Sequence, residues 1–393
     1  MDLASLTRVF QETFKRKEQP RIFFAPGRIN LIGEHTDYNG GHVFPASISF
    51  GTYALALPRY DKRIRLYSKN FSHKGILDIS LSELSYQNKD DWANYPKGMV
   101  KYFIEEGFPI QHGFDVYYYG NIPHGAGLSS SASIELVTGV LLEHLFELTI
   151  DRINMIQIGQ RVENQYIGVN SGIMDQFAIG MGKENHAILL NCDTLDYEYA
   201  PIQLSDYDII IINTNKRRVL ADSKYNERRQ QCEDALTALQ SALSITSLGE
   251  VTPEQFEKHR HLIETEILQK RAKHAIYENA RTLKALQKLK DGDLESFGEL
   301  MNDSHRSLRD DYEVTGKELD AIAETAWTLD GVLGARMTGA GFGGCAIAIV
   351  EKEKVNTVKQ AIYQAYTDRI GYEPTFYVAS IGDGARELKG EIE

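Results

Sequence analysis

The residues best suited to chemistry lie close together near the N-terminus, in the stretch Ala25–Asn39. It reads Ala-Pro-Gly-Arg-Ile-Asn-Leu-Ile-Gly-Glu-His-Thr-Asp-Tyr-Asn and places Arg28, Glu34, His35 and Asp37 among apolar residues. Few structural demands explain that arrangement. Carboxylates such as those of Glu34 and Asp37 accept paired hydrogen bonds from neighbouring hydroxyl groups. The stretch therefore predicts a polar pocket suited to a sugar, with a solvated charged turn as the alternative.

A second stretch, Pro123–Ser133, has the features of a phosphate-binding loop. It reads Pro-His-Gly-Ala-Gly-Leu-Ser-Ser-Ser-Ala-Ser and lies between an extended run and a segment with helical periodicity. Gly125 and Gly127 let the backbone approach an anion closely, and the amides of the new helix face that anion. The three serines at positions 129–131 offer hydroxyls that cap the helix, bond phosphate oxygens or hold a magnesium ion. No lysine follows the glycines, so this is not a Walker A loop; ordinary turn and cap chemistry is the alternative.

A third glycine-rich stretch, Met337–Cys345, invites comparison with a dinucleotide-binding fingerprint. That fingerprint must open a helix, whereas residues 345–350 of this chain have the pattern of a strand. The dinucleotide-binding interpretation is therefore excluded by its context.

The elements that must position these residues are predicted from periodicity and turn residues. Strands are expected at residues 21–25, ending at Pro26, and at residues 52–57, 63–67, 114–119, 186–191, 207–214, 345–350 and 376–380. Helices are expected at residues 129–148 and 152–165, and residues 168–176 are predicted as a loop. Asp175 in that loop follows Ile173 and Met174, and a carboxylate in so apolar a neighbourhood is costly unless it is paired. The charged segment 253–327 is predicted to form packed helices with solvated faces and no chemistry.

Length and composition limit the class of protein. The 393 residues suggest two or three domains, and the net charge of −12 disfavours a nucleic-acid-binding surface. Cys192, Cys232 and Cys345 are odd in number and far apart, which indicates a reducing compartment rather than a disulfide framework or a zinc site. Residues 1–19 have the pattern of an amphipathic helix, and no run is apolar enough to span a membrane. We therefore expect a soluble cytoplasmic protein that binds neither nucleic acid nor membrane.

The motifs resemble those of the GHMP kinase superfamily, and Ala25–Asn39 closely resembles the signature of its galactokinase family. The resemblance extends over most of the chain. It implies an α+β fold of two domains, with mixed sheets and helices and an active site in the cleft between the domains. The domains would span residues 1–200 and 201–393. The implied reaction phosphorylates galactose at its anomeric hydroxyl, with ATP as co-substrate and Mg²⁺ as cofactor, and gives galactose 1-phosphate and ADP. This would be the first committed step of galactose catabolism, and no obligatory protein partner is implied.

The resemblance also assigns roles to individual residues. Asp175 matches the residue taken as the catalytic base, with Arg28 as its natural partner, and Ser131 and Glu163 match the Mg²⁺ ligands. Positions that match sugar-binding residues are Glu34, His35, Thr36, Asp37, Gly172, Asp175 and Tyr225. Positions that match nucleotide-binding residues are Ser68, Trp92, Gly125, Ala126, Gly127, Leu128, Ser129, Ser130 and Ser131. Trp92 either stacks on adenine or is a core aromatic residue.

Two alternatives stay open at this point. One is another kinase of the superfamily, such as an N-acetylgalactosamine kinase, because the run from Glu34 to Asp37 alone does not choose between the two sugars. The other is a sensor that binds galactose and ATP without turnover. Such sensors are expected to lack part of the Ser-Ala pair in the phosphate loop, and this chain keeps Ser131 and Ala132, which favours an enzyme.

Overall fold

The computed structural model describes residues 3–123, 125–202, 204–216 and 221–389 of the chain. Its α-helices are α1 (Leu3–Phe14), α2 (Asn94–Glu105), α3 (Ser130–Leu145), α4 (Arg152–Arg161), α5 (Met174–Met181), α6 (Ala221–Gln240), α7 (Pro253–His259), α8 (Glu266–Lys290), α9 (Leu294–Asp310), α10 (Gly316–Trp327) and α11 (Val355–Ile370). Its strands are β1 (Arg21–Asn30), β2 (His42–Val43), β3 (Pro45–Pro58), β4 (Arg63–Ser68), β5 (Leu77–Ser80), β6 (Phe114–Gly120), β7 (His186–Asn191), β8 (Tyr197–Pro201), β9 (Tyr207–Asn213), β10 (Val332–Thr338), β11 (Cys345–Glu351), β12 (Thr375–Ala379) and β13 (Arg386–Glu387). Mixed sheets and helices of this kind confirm the α+β class.

The first half of the chain is built on a six-stranded sheet with the strand order β13-β1-β3-β6-β4-β5. Only β4 and β6 run parallel among its described pairs, so the sheet is mixed. Helix α3 packs against β1 and β3, and its Leu136, Val137 and Val140 are buried in the same core as Val116 and Tyr118. The strand and the helix predicted on either side of the serine-rich loop are thereby confirmed as β6 and α3.

The prediction that Pro26 ends the first strand is wrong. β1 continues to Asn30, with a shift of pairing register between Pro26 and Arg28. Proline has no N–H to donate to a β-ladder, and an irregularity at that point accommodates it. Because the strand continues, Arg28 is held in the sheet and is only 4% exposed.

The second half of the chain is organised by a four-stranded sheet with the order β10-β11-β9-β12. The apolar run predicted to be buried on both faces forms β9, and its isoleucines alternate between two hydrophobic cores: Ile210 and Ile212 face one, Ile209 and Ile211 the other. The third glycine-rich stretch joins β10 to β11 as an antiparallel pair, so a strand follows it, as predicted.

The two halves of the chain are joined by a common hydrophobic core and by a strand pairing. One hydrophobic core combines Ile29 and Leu31 of the N-terminal signature with Met301 of α9 and Ile347 of β11. Strand β13, near the end of the chain, returns to pair with β1. The division of the chain into domains of residues 1–200 and 201–393 stays a prediction. A single boundary near residue 200 would separate β13 from β1, the strand with which it pairs. In the part of the chain that the structure describes, no helix is both long and apolar enough to cross a membrane.

Candidate active site

A cavity of about 290 Å³, here called the charged cavity, lies between the signature stretch, helix α5 and the loop after β10. Most of the predicted sugar-binding and catalytic residues line it: Arg28, Glu34, His35, Asp37, Gly172, Asp175 and Tyr225. Both predicted metal ligands, Ser131 and Glu163, line it as well. Gly339 and Ala340 of the third glycine stretch also line the cavity.

Thr36 is the predicted sugar-binding residue that does not line this cavity. It is fully buried, and its hydroxyl donates toward the carbonyls of Gly33 and His42 at 2.8 and 2.7 Å. These contacts hold the turn that carries its neighbours, so the side chain is already used within the protein.

Asp175 and Arg28 form the central ion pair of the charged cavity. Arg28 Nε donates to Asp175 Oδ1 at 2.8 Å, and Arg28 Nη1 donates to the carbonyl of Gly127 at 2.8 Å. Ser129 donates its hydroxyl to the other oxygen of Asp175. The guanidinium therefore ties the carboxylate to the glycine loop, as expected for an Asp–Arg partnership.

The prediction that Asp175 lies in a loop is wrong, because the residue occupies the first turn of α5. The turn residues end at Gly172, and Ile173, Phe177 and Ala178 recur at helical spacing in the core behind the cavity. A carboxylate in the first turn of a helix is stabilised by the helix dipole. The helix thus fixes Asp175 more firmly than a loop would.

Glu34 is 1% exposed and is held by three donors, one from β1 and two from β10 and the loop after it. Its Oε2 accepts from Asn30 Nδ2 at 2.7 Å; its Oε1 accepts from the Gly339 N–H at 2.6 Å and from Arg336 Nη1 at 3.4 Å. Burial raises the pKa of Glu34, and the charges of Arg336 and Arg28 oppose that rise. The carboxylate is oriented before any ligand arrives.

His35 is neutral and its tautomer follows from its contacts. Its Nε2 lies 3.2 Å from the carbonyl of Ala340, and since a carbonyl only accepts, Nε2 carries the proton. Nδ1 therefore accepts from the Tyr38 hydroxyl at 2.8 Å. Burial lowers the pKa of His35 to about 3, so the ring stays uncharged at neutral pH. The ring of Tyr225 lies beside it at 5.7 Å between centroids.

Asp37 and Gly172 meet at the far wall of the cavity. Burial and the nearby charge of Asp175 raise the pKa of Asp37 to about 7. A Cβ atom added to Gly172 would lie 1.9 Å from Asp37 Oδ2. Only glycine at position 172 allows this loop to approach the Asp37 carboxylate so closely.

A second cavity of about 510 Å³, here called the aromatic cavity, lies beside the serine-rich loop. Its wall includes five of the predicted nucleotide-binding residues, Ser68, Trp92, Gly125, Ser130 and Ser131, together with Phe71, Tyr95 and Tyr118. Trp92 is 5% exposed and lies nearly parallel to Phe71, with 6.2 Å between ring centroids. Trp92 is thus a core residue that also lines the cavity, and stacking on adenine stays a prediction.

The loop that separates the two cavities is shaped by glycine. Gly125 and Gly127 have φ angles of 68° and 72°, a region that favours glycine. Ala126 and Leu128 pack into the hydrophobic core, so only their backbones remain for a ligand. His124 of this stretch lies outside the described residues. The predicted serine cap is not formed by Ser129, which precedes α3 without a side-chain cap bond and instead contacts Asp175.

Ser131 lines both cavities and is the point where they meet. Glu163 lies beside it on a short π-helical segment, Val162–Ile167, that continues α4. Ser171 donates to Glu163 Oε2 at 2.7 Å. Burial raises the pKa of Glu163, and hydrogen bonds from Ser131 and Ser171 oppose that rise.

The oxygen atoms of Ser131 and Glu163 are suitable Mg²⁺ ligands, but they are too few to bind the ion unless a nucleotide supplies phosphate oxygens. No cluster of three or more His, Cys, Asp or Glu side chains that could hold a metal occurs among the described residues. Mg²⁺ bound with ATP requires only one or two protein ligands, since phosphates and water supply the others. The carboxylates of Glu163 and Asp175 place negative charge here: together with burial they raise the pKa of Glu135, whose Oε1 has no hydrogen-bond partner among the described residues. A cation at Ser131 and Glu163 would offset that charge.

Sequence reasoning missed residues of the charged segment 253–327. His274 and Glu278 are fully buried, not solvated, and both contact the signature turn: Glu278 Oε1 accepts from the Gly33 N–H at 3.0 Å, and His274 Nε2 lies 3.1 Å from the Glu34 carbonyl. Their four-residue spacing places them on one face of the helix, and this spacing is the only feature of the sequence that indicates a shared role. Arg336 was also missed, although it directly precedes the third glycine stretch.

Comparison with known families agrees with this geometry. The model described as "Galactokinase galactose-binding signature" matches residues 8–58, "GHMP kinases N terminal domain" matches residues 94–183, and "GHMP kinases C terminal" matches residues 282–368. The galactokinase of Exiguobacterium sibiricum is 59% identical over 388 residues, covering 99% of both chains. The galactokinase of Lactiplantibacillus plantarum is 56% identical over 388 residues, covering 99% of this chain and 100% of the relative.

Solved structures extend the comparison to three dimensions. The crystal structure of Lactococcus lactis galactokinase complexed with galactose aligns with a TM-score of 0.96 at 53% identity, covering 98% of this chain and 100% of that one. The mevalonate kinase of Methanococcus jannaschii, at 18% identity and a TM-score of 0.66, shares the fold alone. Since identity above one half runs along almost its entire length, this chain belongs to the galactokinase family of GHMP kinases, whose reaction is the ATP-dependent phosphorylation of galactose.

Proposed function

We propose that this chain binds galactose in the charged cavity and ATP in the aromatic cavity, and transfers the terminal phosphoryl group to the anomeric hydroxyl. Galactose 1-phosphate and ADP would be the products. The observation that carries the proposal is that Ser131 lines both cavities, beside the Arg28–Asp175 pair. A sugar hydroxyl and a nucleotide's terminal phosphate held on either side of this serine would be close enough to react.

The sugar would be held by polar groups that are already fixed. Glu34 and Asp37 offer carboxylate oxygens as acceptors for sugar hydroxyls, while neutral His35 and the Tyr225 hydroxyl extend the polar wall. Orientation before binding reduces the entropic cost of placing the anomeric oxygen correctly. Gly172 would leave room for this arrangement, since a side chain there would collide with Asp37.

Asp175 would accept the proton of the anomeric hydroxyl as the phosphoryl group is transferred. Proton acceptance by a positioned side chain contributes typically about 10²–10⁴-fold to the rate. Arg28 would stabilise the charge on the transferred group from its place beside Asp175. Since phosphoryl transfer leaves little covalent chemistry to the protein, positioning and charge neutralisation would supply most of the acceleration.

Ser131 and Glu163 would hold Mg²⁺ at the junction of the cavities, where the ion neutralises charge on the phosphate oxygens when the nucleotide is bound. The backbone of Gly125 and Gly127 and the hydroxyl of Ser130 would face the phosphates. Trp92 would contact the base from the wall of the aromatic cavity.

A cytoplasmic location is part of this proposal. It is supported by Cys192, Cys232 and Cys345, none of which forms a disulfide in the part of the chain that the structure describes, as expected in a reducing compartment. Neither nucleic acid nor a membrane nor an obligatory protein partner is needed by the proposed reaction.

Release of ADP tests the function directly. The purified chain with ATP and Mg²⁺ is expected to release ADP rapidly only when galactose is added, and phosphorus NMR of the product should show the phosphate on the anomeric carbon. N-acetylgalactosamine in place of galactose is expected to support much slower release. ADP release that does not depend on galactose, or binding of both ligands without turnover, would contradict the proposal, and the second result would favour a sensor.

A further inference from the structure

Arg336 is a charged residue in an apolar position. It lies on β10 opposite Ile347 of β11, which in turn pairs with Ile211 of β9. Ile347 and Ile211 are fully buried in one hydrophobic core. Arg336 is itself 0% exposed, although the row of side chains across this sheet face is otherwise hydrophobic. An apolar residue of similar volume would be expected here on grounds of stability alone.

The guanidinium of Arg336 is only partly satisfied. Its Nη1 donates to the Asn30 carbonyl at 3.0 Å and to Glu34 Oε1 at 3.4 Å. Its Nη2 lies 3.9 Å from Glu278 Oε1, and neither Nε nor Nη2 has a hydrogen-bond partner among the described residues. Buried donors without acceptors cost stability. A buried arginine that carries this cost and directs its contacts at Glu34 points to a role in the site.

The groups around Arg336 converge on Glu34. The Gly339 N–H, three residues further along the chain, donates to the oxygen of Glu34 that Arg336 also contacts. Glu278, whose pKa is lowered to about 2 by Arg281, His274 and Arg336 despite its burial, accepts the N–H of Gly33 at 3.0 Å and that of Glu34 at 3.4 Å. The backbone and the carboxylate of Glu34 are thus both fixed by residues from the second half of the chain.

We propose that Arg336 is a positioning residue that orients the Glu34 carboxylate for its hydrogen bond to a sugar hydroxyl, so that the strand before the third glycine stretch sets sugar affinity. The inference rests on the proposed function, which places the sugar against Glu34. It deepens that function by assigning sugar recognition to a residue that does not line the charged cavity. Burial of Glu34 raises its pKa, and Arg336 is the largest opposing charge, which supports the same role.

The test is a double-mutant cycle read by galactose binding without nucleotide. Isothermal titration of galactose is compared for the parent chain, Arg336→Met, Glu34→Gln and the double variant. We expect Arg336→Met to weaken galactose binding by about 10- to 100-fold, because hydrogen bonds to charged groups are the stronger ones. In the Glu34→Gln background the same change is expected to add less than about twofold, while the KM for ATP stays within about twofold of the parent.

Two further variants separate positioning from stability. Arg336→Lys keeps the charge and is expected to fold and to bind galactose with a smaller loss, which keeps the test valid if Arg336→Met is insoluble. Arg271→Met is the matched control: Arg271 is also buried, at 2% exposure, but it contacts Gln231, Asp311 and Glu313, so its loss should lower the melting temperature without changing galactose affinity.

The outcomes are distinguishable. The positioning role is overturned if Arg336→Met and Arg336→Lys both bind galactose within about twofold of the parent, or if the losses simply add in the double variant. A parent chain that binds galactose but shows no turnover overturns only the proposed function. A parent chain that does not bind galactose overturns both.

Discussion

The two cavities use different physical means to hold a ligand. In the charged cavity, the side chains of Arg28, Glu34 and Asp175 each have partners on separate elements, so these three charges are oriented in advance. In the aromatic cavity, Trp92 and its neighbours offer apolar surface, and the indole Nε1 has no hydrogen-bond partner among the described residues. Fixed polar atoms discriminate between ligands, because a missing or misplaced hydroxyl leaves a buried group unpaired. Apolar surface contributes affinity with less discrimination. We therefore expect substitutions in the charged cavity to have the larger effects.

The largest effect is expected for Asp175→Asn. The amide keeps the shape of the side chain but no longer accepts a proton, so kcat should fall by about 10²–10⁴-fold while the KM for galactose changes by only a few-fold. Steady-state kinetics of ADP release measures both constants. Asp196→Asn, at an exposed position directly before β8, is the matched control and should leave both unchanged. A variant with near-parental kcat would show that Asp175 is not the proton acceptor.

Gly172→Ala should have the next largest effect and should act on galactose alone. The added methyl group would meet Asp37 Oδ2 at 1.9 Å and displace the carboxylate or the loop. Overpacking of this kind costs about 1–3 kcal/mol, so the KM for galactose should rise by about 5- to 150-fold while the KM for ATP stays constant. Gly382→Ala is the control, because a Cβ atom at that position has nothing within 4 Å. An unchanged galactose KM in Gly172→Ala would show that the close approach of Gly172 to Asp37 does not contribute to sugar binding.

The pH dependence of galactose binding should reveal Asp37. Its pKa is raised to about 7, so the carboxylate is mostly ionised at pH 8 and mostly protonated at pH 6. The ionised form is the better acceptor, and the KM for galactose should therefore rise by about tenfold between pH 8 and pH 6. His35, with a pKa of about 3, contributes nothing in this window. In Asp37→Asn the KM should be higher but independent of pH; a parental slope in that variant would assign the titration to another group.

The raised pKa of Asp37 should also make the stability of the folded chain depend on pH. Because the pKa of Asp37 is higher in the folded chain than its ordinary value of 3.8, the folded state binds more protons between about pH 4 and pH 7. This group's contribution to the free energy of unfolding therefore decreases as the pH rises through that range. Asp37→Asn should gain melting temperature relative to the parent at pH 8 and little at pH 5. Differential scanning calorimetry at the two pH values checks the sign.

The smallest effect is expected in the aromatic cavity. Trp92→Phe keeps an aromatic ring beside Phe71 and Tyr118 but reduces the stacking surface. Aromatic contacts are worth about 0.5–1.5 kcal/mol, so the KM for ATP should rise by about 2- to 10-fold with no change in the KM for galactose. An equal rise in both constants would mean that Trp92 acts through the core of the fold and not through the nucleotide.

The sequence predicted local chemistry better than long-range support. The strand, glycine loop and helix around Ser131 are encoded by neighbouring residues, and Asp175 was assigned a charged partner because its surroundings are apolar. The contact of Ser129 with Asp175 is not predicted, because it spans 46 positions. Arg336 and Glu278 reach Glu34 and Gly33 across 302 and 245 positions, and periodicity reports the face of a helix but not what covers it. The residues that orient the site were therefore the ones that local patterns could not assign.

The proposed function depends on the two cavities bringing one sugar oxygen and one phosphate together at Ser131. A crystal structure of the chain with galactose, Mg²⁺ and a non-hydrolysable ATP analogue tests it most directly. We expect the base beside Trp92, the sugar against Glu34 and Asp37, and the anomeric oxygen next to both Asp175 and the terminal phosphate at Ser131. A complex in which another hydroxyl of the sugar faces the terminal phosphate, or in which the nucleotide lies outside the aromatic cavity, would contradict it.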